Sequence, residues 1–302
     1  MGESPNSDEL QFSGHPIEIF GRIFTDKSQD AKEMRSKQWC PYEDKICIKN
    51  RKSDVKVKIG ICSLGYKPEF ADHYVPVVIC PLRFHSREIY KSVKENYFSH
   101  VKDEDIVWVP EVNLGNAGSI DFVLANKNDL GDFLAVEFQA NGTTGTPWDA
   151  LKDFYKTGKF SSSRYKFGLN WANEIVKTMM QQAYKKGVVL EDWKKKILFV
   201  IQDVSMEYLR ANNDTSGLHS PNDEDPIHFA TYKVKIRDNK VVLELQEKLS
   251  TNTDGIRRIL SGSSVEDWPT QEQFVSNIRR RMKVNVGAPA NDKQPSLSKF
   301  TA

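Results

Sequence analysis

Between Val107 and Asn141 the chain reads VWVPEVNLGNAGSIDFVLANKNDLGDFLAVEFQAN, which spaces three carboxylates and an amide as Glu111-x(9)-Asp121-x(15)-Glu137-x-Gln139. Carboxylate oxygens are the ligands a hard divalent cation such as Mg2+ takes, and an amide can orient a water or an oxyanion through hydrogen bonds. The elements that would position them can be read from the pattern. Ser119–Ala125 and Phe133–Ala140 are short, β-rich and apolar, and the polar link Asn126–Asp132 reads as the turn of a hairpin. Alternation along the second strand puts Glu137 and Gln139 on one face and turns Val136 and Phe138 into a core. Asp121, set between Ile120 and Phe122, must face a cation or water, because burying an unpaired carboxylate costs several kcal/mol. The competing account of the same pattern is a strand pair whose polar face is simply wet.

A second constellation lies upstream. All four cysteines of the protein fall within Cys40–Cys80, spaced C-x(6)-C-x(14)-C-x(17)-C with none left over. In a reducing compartment such a cluster points to thiolate ligation of a metal rather than to disulfides, although four small buried hydrophobes would give the same composition. The spacing lacks a C-x(2)-C knuckle, and all-sulfur ligation suits zinc and iron alike. His73 lies inside the cluster but reads as a solvated side chain.

Taken together, the two constellations resemble a known family. The acid spacing resembles the PD-(D/E)xK nuclease core, with Gln139 standing where that core carries its Lys. The Glu-x-Gln form, with SIDFVL, AVEFQA and GLNWAN, is similar to the NotI/EagI group of type II restriction endonucleases. WCPYEDKICIK, GICS and VICPLRF resemble that group's cysteine-bearing segments, matching at Cys40, Cys47, Cys62 and Cys80. The resemblance covers roughly Cys40 to Val189. It implies a Mg2+-dependent endonuclease that cuts double-stranded DNA at a specific, GC-rich palindrome, acting as a homodimer beside a cognate DNA methyltransferase that is not a bound subunit. It further implies Glu111, Asp121 and Glu137 as Mg2+ ligands, Gln139 as their catalytic companion, and one iron, alternatively zinc, held by the four cysteines. Two other readings of the residues stay open: a metal-containing DNA-binding protein without catalysis, and a repair or junction nuclease lacking sequence specificity.

The remaining sequence bounds the fold. With 302 residues, 39% hydrophobic and 28% charged, the chain can bury a sizeable core, and its net charge of +2 neither demands nor excludes nucleic acid. No apolar run approaches a membrane span and the polar N-terminus carries no signal pattern, so the expected compartment is the cytoplasm of a prokaryotic cell.

Gly14–Phe24 begins the fold with Ile17, Ile19, Phe20 and Ile23. Helices are expected over Asp26–Trp39, His85–Tyr97, Trp148–Tyr155 and from Phe167 to a C-cap at Gly187, the last with Leu169, Ala172, Val176, Met179, Met180 and Ala183 as its core stripe. Asn170 and Asn173 read as a structural cap. Gly158–Lys166 should be a loop, Lys195–Val204 a buried strand, Phe229–Ile236 with Val241–Gln246 a second hairpin, and Gln271–Met282 a basic helix with Phe274, Ile278 and Met282 on one face. The expected architecture is a mixed α/β (α+β) fold, a central mixed sheet flanked by helices. Its expected divisions are a lead-in (1–37), a four-cysteine module (38–84), a nuclease core (85–286) and a flexible tail (287–302).

Overall fold

The fold was obtained as a computed structural model, which describes residues 13–51, 54–161, 165–237, 240–262 and 270–285. The expected tail at 287–302 and the first residues of the lead-in lie outside the described residues. Chain topology divides into two compact units, Met1–Gly262 and Ser263–Ala302.

In the first unit, β1 (Pro16–Ile19) and β2 (Arg22–Ile23) form a hairpin, and α1 (Gln29–Lys37) follows under the cap of Ser28, whose side chain accepts from the Ala31 N–H. β3 (Ile61–Tyr66) and β4 (Val75–Val78) join them in a four-stranded sheet of order β2-β1-β3-β4. Ser86 caps α2 (Arg87–Tyr97), where Ile89 and Val93 are buried and Tyr97 is half-buried, as their i, i+4, i+8 spacing predicts.

The central sheet has six strands: β5 (Ile106–Asn113), β6 (Ser119–Asn126), β7 (Asp129–Gln139), β8 (Lys196–Gln202), β9 (Ile227–Arg237) and β10 (Lys240–Thr251), in the order β10-β9-β8-β7-β6-β5. β5, β6 and β7 run as an antiparallel meander, β7, β8 and β9 are mutually parallel, and β10 returns antiparallel. Parallel neighbours need crossovers. α3 (Trp148–Thr157) and a long helix supply the first. α5 (Asp203–Asn212), which the sequence reading did not anticipate, supplies the second; a further unanticipated helix, α6 (Thr253–Ser261), closes the unit.

Both faces of the sheet are covered. Ala135, Ile197, Phe199, Ile201 and Phe229 face the long helix, α5 and α6, whereas Val136, Phe138, Leu198, Val200 and Tyr232 face α2 and the four-stranded sheet. The wet face of the competing account therefore does not exist at Glu137, which lies on a helix-covered face.

The long helix differs from its predicted form in two ways. Its first part, Ala172–Met180, is π-helical and runs directly into α4 (Gln181–Asp192). Wider π turns move the buried positions to Trp171, Ile175, Met179 and Met180, leaving Ala172 exposed and Val176 half-buried. Gly187 is not a C-cap. It lies inside α4, where an added Cβ would sit 2.5 Å from Ile227 Cδ1, so the glycine lets the helix pack closely on β9. Asn170 does act as a cap, its side chain accepting from the Asn173 N–H. In the second unit α7 (Gln271–Asn285) carries Phe274 and Ile278 exposed.

Candidate active site and cysteine cluster

β6 and β7 pair from Ala125–Phe133 to Phe122–Val136, and one step further the register sets Asp121 opposite Glu137. There backbone pairing gives way to side chains. The Asp121 N–H donates to Glu137 Oε1 (3.2 Å), and Asp121 Oδ2 accepts from the Phe138 N–H (2.9 Å). This reciprocal clasp brings two carboxylates together at the carboxyl-terminal end of β7.

Glu137 is 5% exposed, and its nearest cation comes from a residue the sequence reading passed over. Lys186 Nζ donates to Glu137 Oε1 at 2.6 Å, with the lysine itself 3% exposed and Gln182 Oε1 3.4 Å from the same nitrogen. The signal was present in the sequence: Ala183, Gly187 and Leu190 form the buried stripe of α4, and Lys186 occupies a place in it at i+3. A lysine in an apolar stripe needs a buried counter-charge. Burial, and then the Asp121 charge, push the Glu137 carboxyl up to about 7 against the opposing pull of Lys186.

Gln139 follows on the same face of β7, half-buried, with its amide nitrogen donating to Ala140 O (3.0 Å). Glu111 is placed differently. It lies on β5 across from Asp121, between the pairs Ile120–Val112 and Phe122–Pro110, but its backbone is left-handed (φ 52°) and its side chain is exposed. A non-glycine residue held in that region is a local strain of the kind found at functional sites. Among the described residues no three of His, Cys, Asp and Glu are gathered closely enough to hold a metal ion. The fit to Mg2+ is that of a buried Glu137 beside a half-buried Asp121, with Glu137 Oε2 and Asp121 Oδ1 engaged in no hydrogen bond among the described residues, and with Glu111 on the neighbouring strand.

The cysteines are drawn together from four segments. Cys40 ends the strand Trp39–Cys40 of a small ribbon, Cys47 follows its partner strand Lys45–Ile46, Cys62 lies on β3, and Cys80 follows β4. All four are buried free thiols, 4–6% exposed. They are electrostatic neighbours: Cys40 senses Cys47 and Cys80, and Cys62 senses Cys80.

Backbone N–H groups of Tyr42 and Glu43 point at Cys40, that of Gly21 at Cys62 and that of Leu82 at Cys80. Burial raises the thiols of Cys40, Cys62 and Cys80, most strongly that of Cys62. Buried sulfurs provided with N–H donors are the chemistry of a soft-metal donor set, although the four do not close on one point. His73 is exposed and pairs with Asp72, consistent with a solvated side chain.

The family model for restriction endonuclease NotI matches residues 22–235, a span that includes all four cysteines, Glu111, Asp121, Glu137, Gln139 and Lys186. The chain belongs to this family. Membership makes it a restriction endonuclease, a nuclease that cleaves DNA. No curated protein matches the chain. No described helix is long and apolar enough to cross a membrane.

Proposed function

We propose that this NotI-family chain is a type II enzyme that hydrolyses phosphodiester bonds of double-stranded DNA at a specific, GC-rich palindrome, dependent on Mg2+. The observation that carries the proposal is the apposition of Asp121 and Glu137 where β6 and β7 part, with a buried lysine at the second carboxylate. Asp121 and Glu137 would hold the divalent ion, with Glu111 joining from β5 directly or through water. When bound, that ion lowers the pKa of a water and neutralises charge developing on the phosphoryl oxygens.

The protein's own groups do the rest. Gln139 is a neutral amide and no base at pH 7, so it orients the attacking water or a phosphate oxygen by hydrogen bonding. The Phe138 N–H fixes Asp121 Oδ2, so that Oδ1 would be free to take part in holding the ion. Lys186 supplies from α4 the positive charge that the position of Gln139 lacks. It keeps Glu137 Oε1 oriented, so that Oε2 would be available to the ion.

The four cysteines, within residues 38–84, would hold one structural metal, iron or alternatively zinc, ahead of a catalytic core over 85–286. A single such centre cuts one strand. Two related by a dyad meet both strands of a palindrome in equivalent geometry, which is the reason for a homodimer with one Glu111/Asp121/Glu137/Gln139 site per subunit. Guanine edges in a GC-rich target would be read by Arg or Lys in the major groove. The partner in function is a methyltransferase of the same specificity, acting separately on the host DNA.

The test is digestion of plasmid DNA with and without Mg2+, followed by sequencing of the fragment ends. Discrete bands with palindromic ends support the proposal. A smear or structure-selective nicks would make the protein a non-specific nuclease, and binding without cutting would make it a DNA-binding protein. Sedimentation with the cognate duplex in Ca2+ checks the dimer, which a complex of one chain per duplex rules out.

A further inference from the structure

At the opposite edge of the central sheet from the carboxylates lies a cavity of about 500 Å³, lined among others by Lys194, Lys195, Lys196, Lys248, His100 and His228. It sits where the parallel strands begin: Lys196 pairs with Leu134 at that edge, and Gln139 pairs with Ile201 at the other. At about 3.3 Å per residue, Leu134 and the carboxylate-bearing Glu137 are roughly 10 Å apart along β7. The cavity therefore has nothing to do with holding the catalytic carboxylates.

Four of its basic side chains, Lys195, Lys196, Lys248 and His100, have partners that also line it. Lys196 pairs with Asp223 at 2.6 Å and His100 with Asp132 at 3.0 Å. Those two aspartates are the only acids on the wall as described. Lys248 Nζ donates to the Asn96 amide oxygen (3.1 Å), and Lys195 Nζ lies 5.5 Å from the centre of the Phe133 ring. Neither ammonium has a carboxylate among the described residues, and the adjacent Lys194 holds a left-handed backbone (φ 54°) without being a glycine.

On the wall beside them His228 is 2% exposed; its Nε2 donates to Asp225 O (2.9 Å), and its Nδ1 has no hydrogen-bond partner among the described residues. Lysines concentrated in one concavity repel each other unless an anion is placed among them, and a half-satisfied polar wall is costly to keep for packing alone.

We infer that this cavity is a phosphate-binding site, distinct from the catalytic centre, in which Lys195 and Lys248 bind the oxyanions of a phosphodiester or a free oligophosphate. The ammonium groups act as point charges on phosphate oxygens, and the volume is that of a small-ligand site. A phosphate could reach the cavity from the backbone of a DNA duplex running past the sheet edge or as a free anion. The inference is independent of the catalytic reading, since every titration below is done in EDTA.

The test is calorimetric titration of the full chain with inorganic pyrophosphate. It is repeated on Lys195→Gln/Lys248→Gln and on Lys248→Gln alone, whose half-exposed side chain can be lost without disturbing the core. The expected result is binding by the wild type and at least tenfold weakening in the double variant, with an intermediate loss in the single one. Displacement of pyrophosphate by a duplex lacking the cleavage site identifies DNA backbone as the ligand; failure of the duplex to displace it identifies a free phosphate compound. Wild-type protein that shows no pyrophosphate binding at millimolar concentration overturns the inference, as does a folded double variant that binds as tightly.

Discussion

Two buried carboxylate–cation pairs in this molecule have the same ingredients and opposite degrees of completion. In the first, Glu18 is 1% exposed and Arg83 4%, and every neighbour is used. Arg83 Nε reaches both carboxylate oxygens (3.1 and 3.3 Å), Tyr42 donates its hydroxyl to Oε1 (3.1 Å), Ser63 donates to Oε2 (2.8 Å), and Arg83 also donates to Val241 O (2.6 Å). Burial, the largest single influence, pulls the Arg83 pKa down, but the Glu18 charge together with Tyr42, Cys62 and the hydrogen bond to Glu18 outweighs it and drives it up.

In the second pair, Glu137 receives Lys186 and the Asp121 N–H on Oε1 only, and a second carboxylate faces it. A closed network specifies structure, here pinning the four-stranded sheet to β10. A carboxylate pair with one lysine for two acids is short of positive charge, and that shortfall is what a divalent cation would fill.

The largest effect should follow from removing the carboxylate of the open pair. Glu137→Ala is expected to reduce cleavage by on the order of 10³-fold or more, as for loss of a principal electrostatic stabiliser. Specific DNA binding in Ca2+ should stay near wild type, because it rests on contacts elsewhere. Near-normal turnover by this variant in Mg2+ would remove Glu137 from the catalytic assignment and leave the two pairs alike.

Next in size is the cysteine cluster. Cys47→Ser or Cys62→Ser should leave the N-terminal part unfolded or the protein insoluble, because a structural thiolate site contributes its binding energy to folding. Elemental analysis of the purified wild type decides the metal. Iron or zinc near one per chain sustains the site, and four titratable free thiols without metal would return the cysteines to plain core packing.

The closed pair should respond in stability and not in chemistry. Arg83→Met strands a buried Glu18 and is expected to cost about 3–5 kcal/mol, which thermal unfolding would record as a loss of roughly 10 °C. Cleavage per folded molecule should be unchanged. A catalytic defect larger than the loss of folded protein would contradict the division of labour between the two pairs.

Much of this was legible in the sequence, and what was not has definite causes. Strict alternation exposed β6 and β7 and put Glu137 with Gln139, and clustering alone singled out Cys40, Cys47, Cys62 and Cys80. The apposition of Asp121 and Glu137 follows from the hairpin, which converts sequence distance directly into register, but spacing alone also fits a wet strand face, and it is the family resemblance that singles the two acids out. Lys186 could not be found that way, since it reaches Glu137 from 49 positions along the chain, through a crossover whose packing is set by Gly187 against Ile227. The π-helical stretch Ala172–Met180 was invisible because its sequence fits an α-helical stripe nearly as well, one residue out of phase. α5 and α6 are short and follow directly on strands, and the first residues of α5, Asp203 and Val204, fall in the run expected as the strand Lys195–Val204.

The smallest change in stability, and the most discriminating, should come from replacing both partners of each pair. Glu137→Gln/Lys186→Met removes a buried charge pair that leaves few other groups dependent on it, so it should be neutral or raise stability by about 1–2 kcal/mol while abolishing cleavage. Glu18→Gln/Arg83→Met should instead lower stability, because Val241 O loses its donor and Tyr42 and Ser63 keep a poorer acceptor.

The pH profile makes the contrast sharper. With its folded-state pKa raised from 4.5 to about 7, Glu137 releases its proton more readily in the unfolded chain. Between those values the folded state therefore holds more protons, and stability falls as pH rises through the window. The Glu137→Gln/Lys186→Met protein should lose that decline, so its thermal midpoint should exceed the wild type's by more at pH 8 than at pH 4.5. An advantage of equal size at both pH values would mean that Glu137 is ionised throughout, and that the open pair is as well compensated as the closed one.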